Sequence, residues 1–273
     1  MIEYQSFLAR LYTDDVFRML NRVSPDSAQS FFVLEQRDRD ELRALNLDDV
    51  EAFAGSLSAR LRERVHSMYP VTAAAMGPDR FERASDRFRS LHGSHPSESR
   101  MALATAFGHY LEDFLCADTS VPDWLSELAR FEQKLVEASV QSEQLTPMES
   151  TCHCDETSFD ALFRLRHGVR LDSYEFDVVA LQGRMKAGVP WGEVSRCTTH
   201  VVVAAAHDSR RPTILKLSAL SARLLDLTRT PTDVDGVVRR LALEASTAIS
   251  PAQAVAALEQ FLKRGLLTRM PSK

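Results

Sequence analysis

"PTILKLSALSARLLDL", residues 212–227, changes its period midway. Ile214–Leu217 reads as a short strand. From Ser218 onward Leu220, Leu224, Leu225 and Leu227 fall on one side of a helix. Ser218 stands where a capping hydroxyl belongs. Working outward, "THVVVAAAH" (199–207) is β-branched and apolar, a strand expected to be well buried, and "DSRRP" is the turn that follows it. Upstream, "RLRHGVRL" (164–171) and "YEFDVVAL" (174–181) read as two more strands, and "GRMKAGVPWGEV" as a Gly/Pro-containing connection with a helical turn. Downstream a second helix starts near Thr232, with Val234, Val237, Val238 and Leu241 as its apolar side. A third starts at Ser250–Pro251, a cap followed by proline at the first helical position. Its apolar side is Ala254, Val255, Leu258, Phe261 and Leu262. Gly265 stops it, and Leu266–Leu267 is expected to pack back. A small antiparallel sheet followed by three helices is a winged-helix-like layout.

The first half of the chain carries helical spacing instead. Phe7, Leu8, Leu11, Phe17 and Leu20 recur at helical intervals, and "SPDSAQ" (24–29) reads as a break. Val50, Phe53, Leu57, Leu61 and Val65 form the apolar side of a long helix capped at Asp48 or Asp49. Pro70 ends or kinks it. "GPDRFERASDRFRSLH" is a further helix with Pro78 in its first turn. "HPSESRMALATAFGHYLEDFLCA" is another, capped at Ser97 or Ser99, and "VPDWLSELARFEQKLVEASVQ" the last. "SEQLTPMESTCHCDETS" (142–158) is polar and aperiodic. The expected organisation is α+β: a helical domain over 1–141, a linker over 142–158, and the winged-helix-like domain over 159–273.

The 273 residues are 44% apolar and 26% charged, enough to build a core without metal or disulfides. A net charge of -5 gives no global attraction to nucleic acid or anionic membrane. No stretch approaches the roughly 20 apolar residues of a membrane helix. The N-terminus lacks the basic start and apolar run of a secretory signal. Four cysteines are too few for a disulfide framework, so a cytoplasmic location is expected.

Several clusters invite chemistry. Cys152, His153 and Cys154 with Asp155 and Glu156 are contiguous, whereas closed zinc sites draw on separated pairs. A site of Cys152, Cys154, Cys197 and His200 can be drawn, and the alternative is a plain linker. His92, His95 and His109 lie near Glu112 and Asp113, suited either to a carboxylate–histidine metal site or to helix ends. There is no G-x-S-x-G and no glycine-rich phosphate loop. A transcription regulator would use the third helix for recognition, but "SPAQAVAALEQ" offers few groups that read bases, and Arg239, Arg240, Lys263 and Arg264 suit an outer face.

The strand-to-helix corner fits another use. A short open sheet edge beside an amphipathic helix accepts one more strand from a peptide. The residues expected to do so are Val201, Val203 and Ala205 of the long strand, with Val255, Leu258 and Leu262 of the third helix lining a groove. The alternative is that the strands only cover the helices.

Two resemblances favour binding. Residues 50–135, through "LRERVHSMYPVTAAAMGPDRFERASDRFRSLHGSHPSESRMALATAFGHYLEDFL" and "VPDWLSELARFE", resemble the N-terminal domain of partner proteins of multinuclear iron-dependent oxidases. The elements "YP", "HPS" and "LxxLARFE" carry it. Residues 164–267, through "LKLSALSARLLDL", "TPTDVDGVVRRLA" and "ALEQFLKRGLL", resemble the peptide-recognition domains of ribosomally made, modified peptide (RiPP) pathways. The resemblance implies a heterodimer with an iron-dependent barrel oxidase, to which this chain delivers a precursor or carrier peptide. The length and helical first half are nearer the partner protein of 3-thiaglutamate biosynthesis. Catalytic residues, iron and its ligands are then expected in the enzyme, with no cofactor in this chain.

Overall fold

The computed structural model describes residues 2–92, 99–144, 161–205, 211–244 and 250–270. Two compact units emerge, Met1–Ala129 and Arg130–Lys273, so the chain is mixed helix and sheet.

The first unit is helical throughout its described residues. It runs α1 (Ile2–Thr13), α2 (Asp15–Val23), α3 (Pro25–Gln29), α4 (Gln36–Arg43), α5 (Leu47–Met68), α6 (Pro70–Met76), α7 (Pro78–His92), α8 (Arg100–Cys116) and the start of α9 (Trp124–Gln144). "SPDSAQ", expected as a break, forms the short helix α3, with proline at its first position. The long helix is capped by Asn46, whose side chain accepts the Asp48 N–H, rather than by Asp48 or Asp49. Ser99 caps α8 by accepting the Ala102 N–H. At Tyr69–Pro70 the chain leaves α5 and starts α6. Tyr69 is fully buried there and its hydroxyl donates to the Ala104 carbonyl at 2.6 Å. Edge-on aromatic contacts carry the core onward from Tyr69 to Phe107, Phe81 and Phe88. A second apolar cluster joins Phe7, Leu11, Phe17, Leu34 and Val50.

The second unit contains the rest of α9, then β1 (Leu162–Leu165), β2 (Val169–Tyr174), α10 (Val178–Lys186), β3 (Thr199–Ala204), β4 (Thr213–Leu217), α11 (Ala219–Leu227), α12 (Val234–Glu244), α13 (Pro251–Lys263) and β5 (Leu267–Met270). Two expected strands are corrected. "RLRHGVRL" is broken by a turn at His167–Gly168, where Gly168 has φ +87°, into the end of β1 and the start of β2. "YEFDVVAL" turns helical after Asp177, whose carboxylate accepts the Ala180 N–H and caps α10. The caps at Ser218 and Ser250 form as expected, the latter as a reciprocal capping box with Gln253.

β2, β3 and β4 make one antiparallel sheet in that order, and β1 pairs with β5 in a separate ribbon. Each face of the three-stranded sheet is covered. Val169, Val202 and Ala204 face a core shared with Leu224, Leu225, Val237, Leu241, Leu258 and Phe261 of α11, α12 and α13. Val201, Val203 and Tyr174 face Phe131 and Ala138 of α9. That second contact explains why the units divide between Ala129 and Arg130, and not in the polar 142–158 segment. The later turns of α9 are tied to the sheet by buried apolar area. Residues 145–158 of that expected linker lie outside the described residues.

Candidate functional site

The expectation that β3 offers a binding edge is overturned. β3 is the central strand, paired with β2 from Thr199 to Ala204 and with β4 from His200 to Ala204. Val201 and Val203 are buried against α9, and Ala205, just past the strand, is buried with its carbonyl held by Arg166 at 3.0 Å. No backbone group of β3 remains for a fourth strand. The long apolar run signalled a doubly covered central strand, not an edge. On α13 the three expected positions separate. Leu258 is fully buried core, whereas Val255 and Leu262 are half-buried on the rim of the same cluster.

The sheet margins are β2 and β4, and hydrogen bonds show which groups of each face outward. In an antiparallel ladder a residue's N–H and C=O point to one side, and successive residues alternate. On β2 the Leu171 carbonyl accepts from Arg229 Nη2 at 3.3 Å, and the Ser173 carbonyl from Arg130 Nη2 at 3.0 Å. The Val169 N–H goes to the Arg166 carbonyl. These three residues therefore face away from β3, and Arg170, Asp172 and Tyr174 bond to Val203, Val201 and Thr199. By the same alternation His200, Val202 and Ala204 turn toward Leu217, Leu215 and Thr213 of β4. Ile214 and Lys216 are left with both backbone groups pointing outward. Among the described residues no strand lies beyond β4.

The surroundings of β4 suit an added strand. Leu215 and Leu217 are half-buried on the rim of the cluster beneath α11–α13, as are Val255 and Leu262. Ile214 packs on the opposite, α9-covered face. Leu220, one residue into α11, is exposed. The Lys216 ammonium reaches the Asp177 carboxylate at 2.6 Å. Burial raises the Asp177 carboxyl's proton affinity, but the bonds from Lys216 and the Ala180 N–H outweigh it, so the group lies below its ordinary range. β5 has a second outer margin. Phe163 and Leu165 of β1 donate to the Thr232 and Thr228 carbonyls, so β1 turns its intervening residues to β5, and β5 directs Leu267 and Arg269 outward.

The metal candidates are not assembled among the described residues, where no group of three or more His, Cys, Asp or Glu is placed to hold an ion. Cys152, His153, Cys154, Asp155, Glu156 and His95 lie outside those residues. Cys197 is an exposed free thiol on the approach to β3, and the His200 ring meets the Ser173 hydroxyl at 2.7 Å. His92 stacks on Phe88. Arg239, Arg240, Lys263 and Arg264 are exposed, and the start of α13 exposes Ala252, Gln253 and Ala256. No described helix is long and apolar enough to cross a membrane.

In the first unit one exposed apolar surface is not legible from periodicity. α2 carries Val16, Met19 and Val23 on one exposed stripe, 76%, 67% and 79% accessible, and Phe31 and Val33 are exposed in the segment after α3. The stripe follows helical spacing, but so do the core-facing Phe17 and Leu20, and periodicity alone does not say which side is buried.

Comparison with family models finds no match, and comparison with curated proteins finds none.

Proposed function

We propose that this chain is a non-catalytic partner subunit. It captures a ribosomally made precursor or carrier peptide by strand addition and presents the peptide's cysteine to an iron-dependent oxidase. The observation that carries the reading is the outer margin of β4, where Ile214 and Lys216 offer two N–H and two C=O groups to a fourth strand. Backbone bonds of that kind give affinity, and the half-buried apolar rim on either side gives selectivity. In this reading β2–β4 with α11–α13 form the winged-helix-like recognition domain, and β1–β5 is its ribbon. The resemblance of residues 164–267 to RiPP recognition domains, and of 50–135 to oxidase partner proteins, supports it. The helical unit docks the enzyme, with the apolar stripe on α2 as the surface offered. The 3-thiaglutamate type of pathway is the proposed setting, and any iron belongs to the enzyme.

The test is proline at Lys216. Its backbone N–H points outward, so proline there removes a donor from an incoming strand while leaving the ladder to β3 whole. Fluorescence anisotropy is measured with labelled peptides spanning any short cysteine-containing reading frame encoded beside this chain. Lys216→Pro is expected to weaken binding about tenfold, as the loss of one backbone hydrogen bond implies, and Lys216→Ala is expected to change it little. Loss with Arg269→Pro instead would move the site to β5, and binding unaffected by either proline would overturn strand addition.

A further inference from the structure

The two margins of the β2–β3–β4 sheet are treated differently, and the difference lies in two arginines. On β2, Arg130 and Arg229 place guanidinium groups against the outward carbonyls of Ser173 and Leu171. Each guanidinium is held in place by a second contact. Arg130 lies over the Tyr174 ring at 4.8 Å, and Arg229 Nε donates to the Asp226 carboxylate at 2.6 Å. The arginines come from different elements, one from α9 and one from the turn after α11, and converge on alternate residues of one strand. Charge-assisted bonds of this kind are stronger than a neutral backbone pair. A strand approaching β2 must displace both, because its own N–H groups would find the Ser173 and Leu171 carbonyls already taken by cations. The outward carbonyls of Ile214 and Lys216 on β4 have no such cover among the hydrogen bonds of the described residues.

We infer that Arg130 and Arg229 decide which margin of the sheet accepts a strand: they close β2 and direct addition to β4. The inference rests on the strand-addition reading for its consequence, but the closure of β2 is testable without a peptide. Edge strands with free backbone groups pair with copies of themselves unless guarded by charge or cover. The experiment compares the full wild-type chain with Arg130→Ala/Arg229→Ala by sedimentation velocity over a range of concentrations, and by hydrogen exchange of segment 169–174. The double variant is expected to gain a concentration-dependent dimer absent or weaker in the wild type, with slowed exchange of the Leu171 and Ser173 amides. Adding Lys216→Pro should leave that dimer in place, because it acts on the other margin. Where the double variant does not fold, Arg229→Ala alone, which leaves the Arg130–Tyr174 contact untouched, gives the same readouts. An association state and exchange pattern equal to the wild type overturn the guard assignment, as does a new dimer abolished by Lys216→Pro. Failure of the wild-type chain to bind any peptide strikes the functional reading alone and leaves this result standing.

Discussion

Arg89 is the side chain on which the corner between α1 and α2 turns. It is buried, donates from Nη1 to the Tyr12 and Thr13 carbonyls at the end of α1, and bonds Asp15 at 2.7 Å. Arg18 donates to the Leu11 carbonyl and pairs with the same Asp15 carboxylate. Two guanidiniums thus satisfy helix-end carbonyls that otherwise have no partner. Arg89→Ala strands both carbonyls and leaves the carboxylate to Arg18 alone, and is expected to cost about 3 kcal/mol, read as a loss of midpoint in urea unfolding. Burial raises the Asp15 carboxyl's proton affinity, but the bonds and charges of Arg89 and Arg18 prevail, and the group sits below its ordinary range. Its folded value is depressed, so its stabilising share is complete above the ordinary carboxylate range, near about 4, and is lost as pH falls below that. Asp15→Asn is therefore expected to flatten the acid limb of the stability profile, with little change in its shape at neutral pH.

Among the elements, those set by local chemistry were legible and those set by partners were not. β4, α11 and α13 follow from a period change, a capping serine and a Ser–Pro start, all of which act within a few residues. Ser250→Ala is expected to cost about 1 kcal/mol through loss of the box with Gln253, measured as a fall in thermal midpoint. Asp177 shows the limit: "YEFDVVAL" is as β-prone as a strand, yet a carboxylate placed to accept the Ala180 N–H starts a helix there. β5 carries no signal of its own, because Leu267–Met270 is short and is a strand only by virtue of β1. The sheet's outer edge is not legible at β3 for a related reason. Val201 and Val203 read as strand from their own chemistry, but whether a strand is central depends on its neighbours. A charge or proline at Val203 is expected to unfold the second unit, by creating a buried charge or removing a ladder bond, and so reports on packing and not on peptide capture. The arginine guards of β2 carry no sequence signal, since Arg130 and Arg229 converge only in the fold.

For the whole molecule, the two units offer two different surfaces, an apolar helix stripe and an open sheet margin. Scattered apolar residues are ordinary on a surface, whereas a contiguous stripe on one helix marks an interaction. Val16, Met19 and Val23 lie on the side of α2 opposite buried Phe17, so Met19→Glu/Val23→Glu is expected to leave the fold and its unfolding midpoint nearly unchanged. On the function proposed above, the same variant is expected to lose co-purification with the proposed oxidase partner. The claim on which the rest depends is the availability of β4, and peptide affinity of Lys216→Pro beside Lys216→Ala measures it most directly. About a tenfold loss confined to the proline variant, with both variants folded, is the result the account predicts; equal affinity in wild type, alanine and proline variants would contradict it.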